Sequence, residues 1–155
     1  VTVPILGPAG CPPMGSGEVP RGHSASIDVS FAPDLVPPAA AWGAVMEGAL
    51  YLKNAGRLRL KESDRLASVS QVLGALGARV WEEPERLILE GRPSLAGGVT
   101  VSGHNDHRIA MMAAIAASRC ENDVYIKGAE AVNKSYPLFF DHYQELGGMV
   151  ELTQE

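Results

Sequence analysis

Apolar positions along this chain switch between a period of two and a period of three to four, and the switches come in a regular order. Residues 25–29 alternate as a half-buried strand. Leu35, Ala39, Trp42 and Met46 then fall at helical spacing. A helix is predicted over residues 35–47, starting near Asp34, because Pro37 and Pro38 are tolerated only in a first turn. Gly48 ends it, and Ala49–Lys53 reads as a strand. Leu66, Val69, Leu73 and Leu76 mark a second helix, with Ser63 as its N-cap and Gly77 as its stop. Residues 79–81 and 86–89 follow as a hairpin.

The order then recurs. Residues 99–102 read as a strand, and Asn105-Asp106-His107-Arg108 opens a helix carrying Ile109, Met112, Ala113 and Ala116. Val124–Lys127 reads as a strand. Asn133-Lys134-Ser135 precedes Pro137, which suits a first helical position, and that helix is predicted to run to Leu146 before a strand over 149–152. The recurrence is an internal repeat. Tyr51-Leu52-Lys53 matches Tyr125-Ile126-Lys127, and at the same offset Ile27 meets Val101, Asp34 meets Arg108 and Ala39 meets Ala113. After a short deletion, Leu76-Gly77 matches Leu146-Gly147. Each copy is strand, helix, strand, helix, strand, so the fold class is α/β. The low charge of the helices after Asp34 and Arg108 places them inside, packed against the sheets. The division is an irregular lead-in (1–24), a first repeat (25–97) and a second repeat (98–155). In the lead-in, residues 1–5 have strand character without an evident partner, and residues 7–22 read as loop.

Composition narrows the chemistry. With 155 residues, 18 acidic against 13 basic and a formal charge of −5, the chain has no basic face for nucleic acid. Cys11 and Cys120 form neither a metal spacing nor a disulfide framework. His23, His104 and His142 show no ligand spacing, so no metal is expected. No apolar run is long enough to cross a bilayer, and a cytoplasmic protein without a membrane partner is expected.

The repeat gathers the ionisable residues. Each copy offers two helix N-termini, where free N–H groups and the helix dipole favour anions. The sets at these ends are Asp34; Lys61, Glu62 and Arg65; His107 and Arg108; and Lys134. If the helices run parallel around an axis, four cations converge on one face, which suits a small polyanion bearing phosphates and carboxylates. Asp34 and Glu62 sit among these cations and have the chemistry of an acid and a base. Each residue also has a structural reading. Residues 61–65 form a solvated first turn with an intrahelical ion pair, Asp34 caps its helix, His107 is a structural histidine, Asp106 partners Arg108, and Lys134 is simply exposed.

The stretch Asn54-Ala55-Gly56-Arg57-Leu58-Arg59-Leu60-Lys61-Glu62-Ser63-Asp64-Arg65-Leu66 resembles a signature of the EPSP synthase family, the 3-phosphoshikimate 1-carboxyvinyltransferases. Asn105-Asp106-His107-Arg108-Ile109-Ala110-Met111 is similar to a second motif of that family, and Pro33-Asp34 and Lys134-Ser135-Tyr136-Pro137 fall where it has matching motifs. The resemblance covers about residues 25–150 and implies the enolpyruvyl transferase fold, of which this chain would hold about two of the three βαβαββ units of one domain. It implies transfer of the enolpyruvyl group of phosphoenolpyruvate to the 5-hydroxyl of shikimate 3-phosphate, on the route to aromatic amino acids, in a family targeted by glyphosate. It implies no cofactor.

By the same resemblance, Asp34 takes the hydroxyl proton and holds shikimate 3-phosphate, which Lys61 also contacts. Glu62 serves the methylene carbon, Arg65 and Arg108 clamp the phosphoenolpyruvate carboxylate, Lys134 meets its phosphate or the leaving phosphate, and His107 orients the Arg108 loop or contacts the intermediate. Arg57 stands where some members have an asparagine. The family's N-terminal Lys, Ser and Arg motifs have no counterpart, so a C-terminal fragment of a longer enzyme is expected, inactive without its missing part. A UDP-sugar enolpyruvyl transferase and a noncatalytic anion-binding module are the alternatives.

Overall fold

Two sheets, one for each repeat, flank a layer of helices. The computed structural model describes residues 2–5 and 23–153. The loop expected over 7–22, and Cys11 within it, lie outside the described residues.

The first repeat builds β2 (Ser24–Asp28), α1 (Val36–Gly43), β3 (Ala49–Lys53), α2 (Arg65–Ala75), β4 (Arg79–Glu82) and β5 (Leu87–Glu90). Its sheet runs β2-β3-β5-β4, with β2 parallel to β3 and the other pairs antiparallel. Leu50 stands opposite Leu89, and Leu52 opposite Leu87. All four side chains are buried against the helices while Tyr51 and Ile88 alternate outward, as a one-sided sheet requires. Burial of each such leucine contributes about 1.5–3 kcal/mol.

The second repeat builds β6 (Thr100–Ser102), α3 (His107–Ala117), β7 (Val124–Lys127) and α4 (Phe139–Glu145). Its sheet is completed from the other end of the chain. Thr2–Ile5 forms β1, which lies antiparallel to β7, with Val3 opposite Ile126 and Ile5 opposite Val124. The strand expected over 149–152 reduces to bridges from Val150 to Ile5 and from Thr153 to Thr2. With these bridges, both sheets follow one plan: a parallel pair, then two antiparallel neighbours. β1 thus takes the place in the second sheet that β5 takes in the first.

α3 packs against α1 and α2 at the centre. Ala110, Ala113, Ala114 and Ala117 on α3, and Ala40 and Ala41 on α1, are buried and let the helices approach closely. The stripes expected on α2 and α3 are the buried ones: Leu66, Val69, Leu73, Ile109, Met112, Ala113 and Ala116 lie in the core. On α1 the expected stripe is only half right: Ala39 and Met46 pack against the core. Leu35 and Trp42 are more than half exposed, and Val36, Ala40 and Gly43 face inward instead. α1 is apolar on nearly every side, so spacing alone did not select its inner face.

Two helix starts also differ from expectation. A 3-10 helix (Pro33–Leu35) precedes α1. Another (Ala129–Lys134) takes up the segment expected to open the last helix, which begins only at Phe139, beyond Pro137. Lys134 therefore ends a 3-10 helix and is not at a helix N-terminus. Among the described residues no helix is long and apolar enough to cross a membrane.

Candidate active site

The repeat delivers Asp34 and Arg108 to equivalent places by equivalent turns. After β2, the Ser30 N–H donates to Oδ1 of Asp28 at 2.9 Å. After β6, the His104 N–H donates to Oγ of Ser102 at 3.0 Å. His104 and Asn105 follow with φ of 52° and 53°, the left-handed region, and aim α3 at the junction of the repeats. There Nη2 of Arg108 lies 3.1 Å from Oδ2 of Asp34. Asp34 makes no cap bond to α1, because its carboxylate is committed to arginines.

Arg65 is the hub of the junction. It opens α2 and is 1% exposed, which for a guanidinium demands anionic partners. Nη1 donates to Oδ1 of Asp34 at 2.8 Å, and Nη2 to Oε2 of Glu62 at 2.5 Å. Its other edge grips Asp106: Nε to Oδ2 at 2.8 Å and Nη2 to Oδ1 at 3.2 Å. Asp34 comes from the 3-10 helix before α1, Glu62 from the bend before α2, and Asp106 from the start of α3. The N-terminal approaches of three helices are therefore tied by one side chain.

Asp106 is 0% exposed. It also accepts from the Arg108 N–H at 3.0 Å, capping α3, and from Oγ of Ser63 at 3.2 Å. Burial pushes its pKa up, but the hydrogen bonds and charge of Arg65, with the Arg108 N–H and Ser63, outweigh burial and hold it below the usual carboxylate range. The structural alternative paired Asp106 with the Arg108 guanidinium; Asp106 takes Arg65 instead, across the repeat boundary, and Arg108 takes Asp34. Ser63, expected as the cap of α2, is drawn to Asp106, and Asp64 does the capping, accepting from the Ala67 N–H at 3.0 Å.

The remaining candidates surround this knot. Lys61 is exposed, in extended backbone after the 3-10 helix Gly56–Leu60, and makes no hydrogen bond or ion pair among the described residues. Nζ of Lys134 donates to the backbone oxygen of Asn105 at 2.6 Å and to its Oδ1 at 2.8 Å, so Lys134 is tied to the α3 entrance. His107 is the first residue of α3, and its enclosed Nδ1 has no partner among the described residues. Arg57 is exposed and, with Asn54, Gly56, Leu60 and Glu85, lines an open depression of about 270 Å³. Phe31, 99% exposed, stands three residues before Asp34, and Leu60, 88% exposed, directly precedes Lys61.

Two residues carry more of this arrangement than spacing revealed. Arg59 donates to Asp64, Glu82 and the backbone oxygens of Glu83 and Pro84, and so fastens the Lys61 loop to the β4–β5 turn. Asp106 anchors Arg65. The motif Asn105-Asp106-His107-Arg108 brought Asp106 forward, but as a partner of Arg108 and not of Arg65.

The arrangement has relatives. Residues 16–143 match the family model described as EPSP synthase (3-phosphoshikimate 1-carboxyvinyltransferase). A protein named 3-phosphoshikimate 1-carboxyvinyltransferase from Clostridium beijerinckii is 47% identical over 128 residues, which is 83% of this chain and 29% of that protein. One of the same name from Clostridium acetobutylicum is 49% identical over 83% of this chain and 30% of its own length. Among solved structures, EPSP synthase from Acinetobacter baumannii superposes with a TM-score of 0.76 at 33% identity, covering 81% of this chain and 30% of that one. The enolpyruvyl transferase NikO from Streptomyces tendae, at 20% identity and a TM-score of 0.69, shares the fold. The chain spans about 30% of the length of the curated relatives it matches. A match over most of its residues, on the stretch that brings Asp34, Glu62, Arg65 and Arg108 together, shows that this chain belongs to the EPSP synthase family.

Proposed function

We infer that this chain is one wall of an enolpyruvyl transferase working in the cytoplasm. The enzyme moves the enolpyruvyl group of phosphoenolpyruvate to the 5-hydroxyl of shikimate 3-phosphate and releases phosphate. The observation that carries this reading is the carboxylate bridge between two arginines: Asp34 gives one oxygen to Arg65 at 2.8 Å and the other to Arg108 at 3.1 Å. Two guanidinium groups spanned by one carboxylate form a slot of carboxylate shape.

The carboxylate of phosphoenolpyruvate enters that slot in place of Asp34. Asp34, released from the arginines, becomes the base for the 5-hydroxyl. The hydroxyl oxygen bonds to C2 of phosphoenolpyruvate as its methylene carbon gains a proton. The bond from C2 to the phosphate oxygen then breaks, and the same carbon returns a proton. Glu62, half exposed and paired with Arg65, serves that carbon in this reading. Lys61, without an ion pair among the described residues, is available to shikimate 3-phosphate. Lys134, held by Asn105, is available to the departing phosphate. The cations stabilise the charge that develops on addition. Alone, the chain is a weak anion-binding module, because one wall does not exclude water.

The test splices residues 23–153 into the Clostridium acetobutylicum relative in place of its matching segment and follows phosphate release from the two substrates. Turnover that falls about 100-fold or more in Asp34→Ala and in Lys61→Ala supports the reading. No turnover, or undiminished turnover in both variants, overturns it.

A further inference from the structure

We propose that Asp106 is a positioning residue, which fixes the plane of Arg65 and through it the placement of both Asp34 and Glu62. The proposal rests on the reaction inferred above, in which Asp34 and Glu62 move protons.

The geometry separates Asp106 from a helix cap. Capping α3 requires one oxygen and one N–H, and the Arg108 N–H meets that need. The carboxylate makes three further bonds, two to adjacent nitrogens of Arg65 and one to Ser63. A two-point grip on Nε and Nη2 fixes both the position and the plane of a guanidinium, where a single bond would leave it free to rotate. With the plane fixed, the directions of the remaining N–H groups are fixed, and these hold Asp34 and Glu62.

Both ends of the grip are enclosed, Arg65 at 1% and Asp106 at 0% exposure, so water does not replace either partner. Asp34 and Glu62 are about half exposed and sit on the short 3-10 helix before α1 and on the bend before α2. Their order comes from the buried side of the network. Among the described residues Asp106 makes its bonds to Arg65, Ser63 and the Arg108 N–H, and reaches Asp34 and Glu62 through Arg65. A buried ion pair gains little stability over an apolar pair of similar volume, so its retention here is better explained by what it aims.

The test uses Asp106→Asn, which keeps the cap oxygen and loses the two-point grip. In the full chain, nitrogen and carboxyl-carbon NMR should show the Arg65 Nε–H exchanging at least about tenfold faster. The carboxyl signals of Asp34 and Glu62 should move, since residue 106 reaches them through Arg65, while the amides in the middle of α2 and α3 stay in place. Unmoved Asp34 and Glu62 signals overturn the proposal. In the spliced enzyme, kcat should fall about 100-fold, as for a misplacement near 1 Å, with KM changed less than about threefold. Full kcat with only a lowered melting temperature means a structural role and also overturns it. Loss of turnover in the parent splice would count against the inferred reaction, and the NMR shifts would still decide the placement. Should Asp106→Asn fail to fold, Arg65→Lys serves, since it keeps the charge but cannot make the two-point grip; it should reproduce the kcat loss, and unchanged kcat refutes the positioning role.

Discussion

Arg65→Met keeps most of the side-chain volume and removes the charge. Its cost follows from what is left behind. Asp34 and Glu62 are about half exposed, regain water, and each lose less than about 1 kcal/mol. Asp106 is fully enclosed and keeps only the Arg108 N–H and Ser63. Orphaning one partner of a buried pair costs about 3–5 kcal/mol, a large part of the 5–15 kcal/mol that a domain has in total. Arg65→Met/Asp106→Leu removes the orphan too. Its remaining loss is chiefly the α3 cap, about 1 kcal/mol, so the double variant should be more stable than Arg65→Met. Urea unfolding followed by tryptophan fluorescence at pH 7 measures the cycle.

A second axis is pH. In Arg65→Met, burial is the largest influence on Asp106 and is no longer outweighed by Arg65, so the folded pKa lies above the unfolded one. Such a group gains relative stability as pH falls through the folded pKa, and the deficit against wild type should narrow from pH 7 to pH 4. A single variant costing under about 1 kcal/mol, or a double variant losing the sum of the singles, would refute the view of Arg65 as a hub whose charge exists to be shared.

Further outcomes are expected. In the wild type, Asp106 and Asp28 both have folded pKa values below the ordinary one; their contribution is present above about pH 4 and is lost as pH drops below it. Unfolding midpoints from pH 7 to 3 should fall most steeply at the acid end, and less steeply in Asp106→Asn. Cys120 is buried and its thiol is pushed up to about 11, chiefly by that burial, so iodoacetamide at pH 8 should leave its tryptic peptide unmodified until the chain is unfolded. Gly48 and Gly147 share a φ near +95°, but a Cβ at Gly48 would lie 2.1 Å from the His23 backbone oxygen, whereas at Gly147 nothing lies within 4 Å. Gly147→Ala should cost about 1 kcal/mol and Gly48→Ala at least about 2 kcal/mol by thermal melting, because only the second adds a collision to the backbone penalty.

Elements with a polar side were legible in the sequence. α2 alternates leucine and valine with serine and glutamine, so Leu66, Val69 and Leu73 identified the buried face, and β3 and β7 showed themselves as copies. α1 has no polar side, and its inner face is set by which neighbours exist to cover it. The partner of β1 was hidden because antiparallel pairing across the length of the chain leaves no local pattern. At the site, residue types and spacing brought forward Asp34, Glu62, Arg65 and Arg108, which do meet. They did not show that Arg65 is enclosed: a charged residue reads as surface until carboxylates from three separate segments surround it. Nor did they separate Ser63 from Asp64 as the cap, since both are good caps and a distant carboxylate, Asp106, decides between them.

The crossing of β1 to β7 has a consequence for the order in which the protein is made. The first sheet draws all its strands from residues 24–90, so it can close while synthesis continues. β1 emerges earlier than any of them, yet its partner spans residues 124–127. In the interval β1 is an unpaired apolar edge, all four of its residues destined for burial. Contacts this distant in sequence slow folding, and the waiting strand is the segment a ribosome-bound intermediate would most need shielded.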